Sequence, residues 1–559
     1  MKKIIALVLS VLLTFSVFAM PVGAATSKHV KCPIIYISGS SIDICDADGN
    51  IISTGFDVLL DENEGGMSKE DLIKFVVEVS VPFILEGMPK DKWDNYGKEI
   101  YDGLAPVWDK TQIDGDGNAK YGTGVSKDEI AYWDNEATKD KGADGYFGLR
   151  EYDFRYDWRL SPYDHVDRLH EFIKQVRAAT GSDQVCLVGR CIGGSVVTAY
   201  LEAYGECGYV KKVFYDETLS NGCAVISECF SGQIDFSDKH VQAYLLESEY
   251  FGKENVGIDL VGVNDLILEV TERIVDLLTQ VGATDSMLIG VENLYNRLYS
   301  ALIPSLLLAT GMGTWVSYWT CVYEDDMKAA LDLVFGEEGS ETREQFAGLI
   351  DKILYVREHM TSQYPALYKT FADTYGVEVG ALASYGLVNP PLTVSSDQSG
   401  DVLVGIQDSS FGATACGLFD AQLPQDYIDA QVAAGKGEYI SPDGKVDAST
   451  CLFPETTWII KNKHHDVVSA WCYLAERFTQ YENYTVTNNP DNISRFLVVT
   501  KMNDSKGFAN MTEENCADGE WLNVVEQEPT KETMLASLMR FLTTIFKFLT
   551  ALFNGTLEF

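Results

Sequence analysis

Gly189-Arg190-Cys191-Ile192-Gly193-Gly194 is the stretch that decides the fold of this chain. Its Gly-x-Cys-x-Gly spacing is that of a nucleophile elbow, with cysteine where serine is usual, the middle residue standing on a sharp bend between a strand and a helix. The flanking glycines are needed because strand and helix backbones pass too closely there for a Cβ. Upstream, Gln184-Val185-Cys186-Leu187-Val188 is a short apolar run of strand type. Downstream, Ser195-Val196-Val197-Thr198-Ala199-Tyr200-Leu201 can continue as a helix. Strand, tight turn and helix therefore come in the order the elbow requires.

Working outward, the same alternation continues. Pro33-Ile34-Ile35-Tyr36-Ile37 is a β-branched run that stops at the glycine loop Ser38-Gly39-Ser40-Ser41. Asp153-Phe154-Arg155-Tyr156-Asp157-Trp158-Arg159 leads to Ser161-Pro162, a helix cap with proline at the first helical position. Val166, Leu169, Phe172, Ile173 and Val176 then share one helical face, and Gly181 ends the helix. Beyond the elbow helix, Tyr209-Val210-Lys211-Lys212-Val213-Phe214-Tyr215 is another strand candidate. Strands separated by helices imply an α/β fold with a mostly parallel sheet flanked by helices.

Between about residues 221 and 374 strand signals fade, and the segments 267–278, 294–308, 327–335 and 346–356 carry helical periodicity. This reads as a large helical cap inserted into the sheet domain. Its greasiest piece, Leu302-Ile303-Pro304-Ser305-Leu306-Leu307-Leu308, either lines an apolar substrate cavity or packs into an ordinary core. Strand-type runs resume at residues 377–383 and 456–460, the latter leading into Lys461-Asn462-Lys463-His464-His465-Asp466. The acidic clusters at 46–50 and 114–118 lack the glutamate that closes an EF-hand loop and read as turns.

Both ends have their own character. Met1-Lys2-Lys3, an apolar run and Val22-Gly23-Ala24 have the three parts of a secretory signal peptide over residues 1–24, so the mature chain is expected to be secreted or at the cell surface. Residues 25–525 are then expected to form the α/β domain that carries the helical insertion. At 530–559, apolar pairs alternating by four and three leave one continuous apolar side on a helix, with Arg540 and Lys547 opposite. That amphipathic helix suits peripheral contact with a membrane interface, and equally docking on the protein's own surface or on a second copy.

A formal charge of −40 makes nucleic acid an excluded partner, since like-charged backbones repel. The twelve cysteines show no CxxC pair or metal-ligand spacing, and adjacent His464 and His465 lack a second ligand pair, so neither a metal nor any other cofactor is expected. Cys186 and Cys191, five residues apart across a strand end and an elbow, are poorly placed to bond to one another.

The elbow together with Tyr156-Asp157-Trp158-Arg159-Leu160-Ser161-Pro162, about thirty residues before it, resembles the lecithin:cholesterol acyltransferase group of α/β-hydrolases. The resemblance runs from about Pro33 to Val467 without matching the cap, and takes in the loop near Gly39 and Gly400-Asp401-Val402-Leu403-Val404, similar to that family's Gly-Asp-Gly-x-Val segment. The Gly-x-Cys-x-Gly-Gly box is also similar to that of dienelactone hydrolases and polyhydroxyalkanoate synthases, but Tyr-Asp-Trp-Arg favours the lipid group. It implies an α/β-hydrolase fold and chemistry on lipid-like or other apolar acyl esters by nucleophile, acid and histidine in that chain order.

On that footing Cys191 is the nucleophile, its thiolate favoured by the helix N-terminus and a nearby imidazole. His465 is the base, with His464 its neighbour and competitor; Asp401 orients the imidazole, with Asp397 and Asp408 as competitors. The backbone amides of Ile192 and Ser40 form the oxyanion hole. Tyr156 to Arg159 support the elbow and take no part in the chemistry. The activity expected is an esterase, lipase or acyltransferase working through a thioester. The other reading is a catalytically silent hydrolase-fold protein that binds an acyl ligand or a surface partner, because serine is replaced and Arg190 is bulkier than an elbow needs.

Overall fold

The computed structural model describes residues 32–38, 44–45, 51–53, 92–124, 151–219, 221–234, 302–390, 393–463, 465, 469–500 and 507–518, with scattered positions between 74 and 90 and at 240 and 243. The signal peptide over 1–24, the tail helix over 530–559, the cluster at 46–50, the segment 267–278, Ser40 and His464 lie outside the described residues.

Eight strands form the central sheet: β1 (Ile34–Ser38), β2 (Glu151–Asp153), β3 (Val185–Arg190), β4 (Val210–Asp216), β5 (Glu378–Tyr385), β6 (Thr457–Lys461), β7 (Phe496–Val499) and β8 (Phe508–Asn510). Their spatial order is β8-β7-β6-β5-β4-β3-β1-β2, and every neighbouring pair is parallel except β7 with β8. The five strands expected from sequence are β1, β3, β4, β5 and β6, each displaced by a residue or two toward its C-terminal end. β2, β7 and β8 extend the sheet beyond them. The protein is thus an α/β fold on a mostly parallel sheet.

The apolar runs are continuous because both faces of the sheet are covered. Ile35, Ile37, Leu187, Val213, Tyr215 and Ala381 point into one core; Ile34, Tyr36, Cys186, Val188, Phe214 and Leu382 point into the other. The helices that matter are α1 (Val166–Thr180), α2 (Gly193–Tyr204), α3 (Ala224–Ser231), α4 (Met327–Phe335), α5 (Ala347–His359), α6 (Ala366–Asp373) and α7 (Ser469–Gln480). α1 and α2 pack on the first face, and α7, through Leu474, Ala475 and Phe478, on the second. Ser161 caps as expected, accepting from the Tyr163 amide at 3.3 Å, but the Pro162–His165 turn it opens is 3₁₀ before α1 proper begins. Gly181, at φ 70°, closes α1.

Between β4 and β5 the described residues form helices and turns, as the periodicity predicts. They are not a separate lobe with a core of its own: Leu302, Leu306 and Leu307 are buried in one continuous cluster with Ile37, Leu187 and Cys191. Cys186 points into the opposite core from Cys191, which keeps the two thiols apart. At 114–118 the chain makes a tight turn in which Asp114 Oδ1 accepts from the amides of Asp116 (3.0 Å) and Asn118 (2.9 Å).

The Tyr156–Arg159 stretch is structural support. Arg159 Nη2 is 2.6 Å from Asp157 Oδ2, both side chains almost fully buried, and the guanidinium also donates to the carbonyls of Thr111 (3.1 Å) and Gly122 (3.1 Å). Removing one partner of such a pair strands the other charge without solvent. Asp157→Ala is therefore expected to cost about 3–5 kcal/mol in denaturant unfolding; a loss under about 1 kcal/mol would show that the guanidinium finds a substitute.

Candidate active site

β3 ends at Arg190, and Cys191 turns the chain with a φ of 51°, the left-handed region that strains a residue bearing a Cβ. The bend is held from both sides. Cys191 N donates to Asp216 O on β4 (3.2 Å), and its carbonyl accepts from the amides of Gly194 (3.1 Å) and Leu219 (3.3 Å). The elbow glycines are required by space: a Cβ on Gly193 would stand 2.0 Å from Ile37 O, and one on Gly189 2.9 Å from Gly194 Cα. α2 begins at Gly193, so the thiol sits where the helix dipole favours a negative sulfur. Among the described residues the Ile192 N–H has no hydrogen-bond acceptor, which leaves it available as a donor beside the thiol.

Asp401 and His465 reach the same place on loops beyond the C-terminal ends of β5 and β6. His465 Nδ1 is 2.7 Å from Asp401 Oδ2, and the His465 amide donates to Asp401 O at 3.0 Å, so ring and backbone are fixed together. The other carboxylate oxygen, Oδ1, accepts from the amides of Leu403 (2.9 Å) and Val404 (2.7 Å). Burial works against the Asp401 charge, but His465 and the Val404 amide hold its carboxyl below the usual range. The sulfur of Cys191 is near enough to the same imidazole to favour its charged form. Asp397 and Asp408 are engaged elsewhere: Asp397 reaches His240 Nε2 at 3.3 Å, and Asp408 accepts from the Tyr323 hydroxyl at 2.8 Å. Cys191 and Asp401 are each 1% exposed and His465 is 0%, so the cluster is enclosed by protein.

Its electrostatics give a pH prediction. Burial opposes the charge on His465, yet the carboxylate of Asp401 and the sulfur of Cys191 outweigh it and raise its pKa well above the ordinary value. A raised folded pKa contributes stability that is complete below the unfolded value, about 6.5, and is lost as pH climbs through the folded one. Urea unfolding is accordingly expected to show declining stability above about pH 6.5, with part of that decline abolished in His465→Gln. Identical pH slopes for the two proteins would refute it.

Beneath the cluster lies a layer of buried charge that the sequence does not announce. Arg190 Nε is 3.4 Å from Asp216 Oδ2, and Arg190 Nη2 donates to the carbonyl of His465. The bulk of Arg190 is thus used to tie the elbow to the loop carrying the imidazole. Glu217 pairs with Lys463, both 0% exposed, and lies 4.0 Å from His465 Nδ1. In sequence Asp216-Glu217 and Lys461-Asn462-Lys463 look like solvated strand ends; the closeness of β4 to β6 across β5 pairs Glu217 with Lys463, and Lys461 is taken up by Asp443 and Asp518. Nearby, Trp158 packs edge-on against Trp315 at 4.7 Å, and burial, with the Cys191 sulfur close by, pushes the phenols of Tyr156 and Tyr318 well up.

No family model and no curated protein matches this chain. Among solved structures, the crystal structure of the Tle4-Tli4 complex is similar at 14% sequence identity over 36% of this chain and 48% of that chain, with a TM-score of 0.19. The likeness therefore spans about half of that chain's length, and a likeness so small fixes neither fold family nor chemistry.

Proposed function

We propose that this chain is a secreted or cell-surface α/β-hydrolase that cleaves or transfers acyl esters through a thioester on Cys191. The observation that carries the reading is the strained Cys191 at the strand–helix bend, coupled to an imidazole whose Nδ1 sits 2.7 Å from Asp401. The chemistry follows from those groups. The Cys191 sulfur attacks the ester carbonyl, and the oxyanion forms beside the Ile192 amide. The C–O bond breaks as His465 donates a proton to the leaving alcohol. Water or a second alcohol then gives its proton to His465 and attacks the thioester, expelling the Cys191 sulfur. Asp401 keeps the ring in place and stabilises its charge throughout. The resemblance of the elbow and of Tyr156-Asp157-Trp158-Arg159 to the lecithin:cholesterol acyltransferase group supports a lipid-like or other apolar acyl substrate, and the tail over 530–559 supports peripheral membrane contact.

The test is to trap the intermediate. Incubation with a p-nitrophenyl acyl ester at mildly acid pH, followed by peptide mass spectrometry, is expected to find the acyl mass on the Cys191 peptide and not in His465→Ala. Acylation spread over several cysteines, or independent of His465, would overturn the reading. One observation favours the second reading, a silent acyl-binding protein: the enclosure of Cys191 at 1% exposure. That reading predicts no acyl-enzyme with any ester, and a Cys191 no more reactive toward iodoacetamide than an ordinary buried thiol.

A further inference from the structure

Glu217 is the first residue past β4, level with Cys191 past β3, because Arg190 and Asp216 are paired in the sheet. It has a φ of 43°, and its amide donates to Leu382 O on β5 at 2.9 Å. Oε2 meets Lys463 Nζ and lies 4.0 Å from His465 Nδ1; Oε1 has no hydrogen-bond partner among the described residues. A buried ion pair is commonly matched or bettered in stability by apolar residues of the same size, and a left-handed φ adds about 1 kcal/mol of strain or more at a residue with a Cβ. Cys191 and Glu217 are thus two strained residues at the ends of adjacent strands, on either side of one imidazole.

His465 Nδ1 consequently faces two carboxylates, Asp401 at 2.7 Å and Glu217 at 4.0 Å, held by different elements. Asp401 is fixed by its own loop amides; Glu217 is fixed by β4 and β5 and by Lys463, which lies two residues before His465 in the chain. Among the described residues, Asp216 and the Cys191 sulfur also act on the ring, and Arg190 donates to the His465 carbonyl. Burial raises the Glu217 carboxyl, and the Lys463 ammonium that it meets pulls it back toward the charged form.

We propose that Glu217 is a positioning residue for His465: with Lys463 it sets the loop that carries the imidazole, and it supplies a second carboxylate that stabilises the imidazolium when the charge of Asp401 is removed. This rests on the reading of Cys191 and His465 as the reacting pair. It assigns a role to a residue outside every motif in the chain.

The test uses the full chain and a readout that needs no knowledge of the substrate. The rate of Cys191 alkylation by iodoacetamide, followed by peptide mass spectrometry across pH, is measured in wild type, Glu217→Gln, Asp401→Asn, the double variant and His465→Ala. Glu217→Gln is expected to move the His465-dependent limb of the profile to lower pH. The double variant is expected to lose roughly tenfold more than the product of the two single losses, since groups acting on one ring are not independent. Glu217→Asp, which keeps the charge and shortens its reach, falls between wild type and Glu217→Gln, and carries the test if the amide variant does not fold. An unmoved limb, or losses that simply multiply, overturns the proposal while leaving the reacting pair intact. If His465→Ala leaves Cys191 labelling unchanged, the reacting pair and this inference both fail.

Discussion

Replacing Cys191 with alanine is expected to lower turnover of p-nitrophenyl esters by roughly 1,000-fold or more, the scale on which removing a member of a catalytic triad acts. The loss follows from the bond that can no longer form: the Ile192 amide and the Asp401–His465 pair remain, and they account only for residual catalysis. Cys191→Ser keeps an attacking atom but replaces a thiol by a hydroxyl that is far harder to ionise, so an intermediate rate is expected. The backbone supplies an independent control. Because φ is 51°, Cys191→Gly should be at least as stable as Cys191→Ala, since glycine alone adopts that conformation without strain and this offsets its extra chain entropy. Two variants equally inactive, of which the glycine form melts no lower, would separate the chemistry of the sulfur from the strain of the turn. Alanine turning over as fast as wild type would sink the proposed function.

A large structural effect, joined to a loss of activity, is expected at Gly193. A methyl group there would lie 2.0 Å from the carbonyl oxygen of Ile37 and 2.7 Å from its carbon, so the clash is with β1 backbone and not with the end of a mobile side chain. Relief requires α2 to lift off β1, which also moves Ile192 and the thiol. Gly193→Ala should cost at least about 3 kcal/mol, at the upper end for overpacking, and should lose ester turnover with it. Gly181→Ala is the contrast: φ is 70° there, but nothing lies within 4 Å of the new Cβ, so only backbone strain of about 1 kcal/mol is at stake. Guanidinium unfolding of the two variants decides the matter. A Gly193→Ala protein within about 1 kcal/mol of wild type would mean that the elbow is looser than its geometry.

Much of this was legible along the chain, and for a local reason. An elbow is a contiguous requirement: an apolar strand, glycines where backbones meet and a helix-forming run all fall between Gln184 and Leu201, so spacing alone exposes it. The central strands were legible because strands buried on both faces are uninterrupted apolar runs. β7 and β8 carry weaker signals, being short strands at the open edge of the sheet whose side chains are partly exposed. Asp401 and His465 were reachable through strand order and the Gly-Asp resemblance, but choosing them over Asp397, Asp408 and His464 needed loop lengths that sequence does not fix within a residue or two.

The buried charges were not legible at all. Arg190, Asp216, Glu217 and Lys463 are ordinary residues at strand ends, and nothing in their neighbours distinguishes a solvated carboxylate from one at 0% exposure. The sequence by itself determined the alternation of strands and helices, the bend at Cys191 and the helical character of the described part of the segment between β4 and β5, because each is set by residues within one or two turns of one another. Only the tertiary structure decided that the described helices between β4 and β5 share the sheet's core and that His465 meets both Asp401 and Glu217. Those outcomes depend on which strands lie side by side, and charge pairing and burial are properties of that proximity and not of any single stretch of chain.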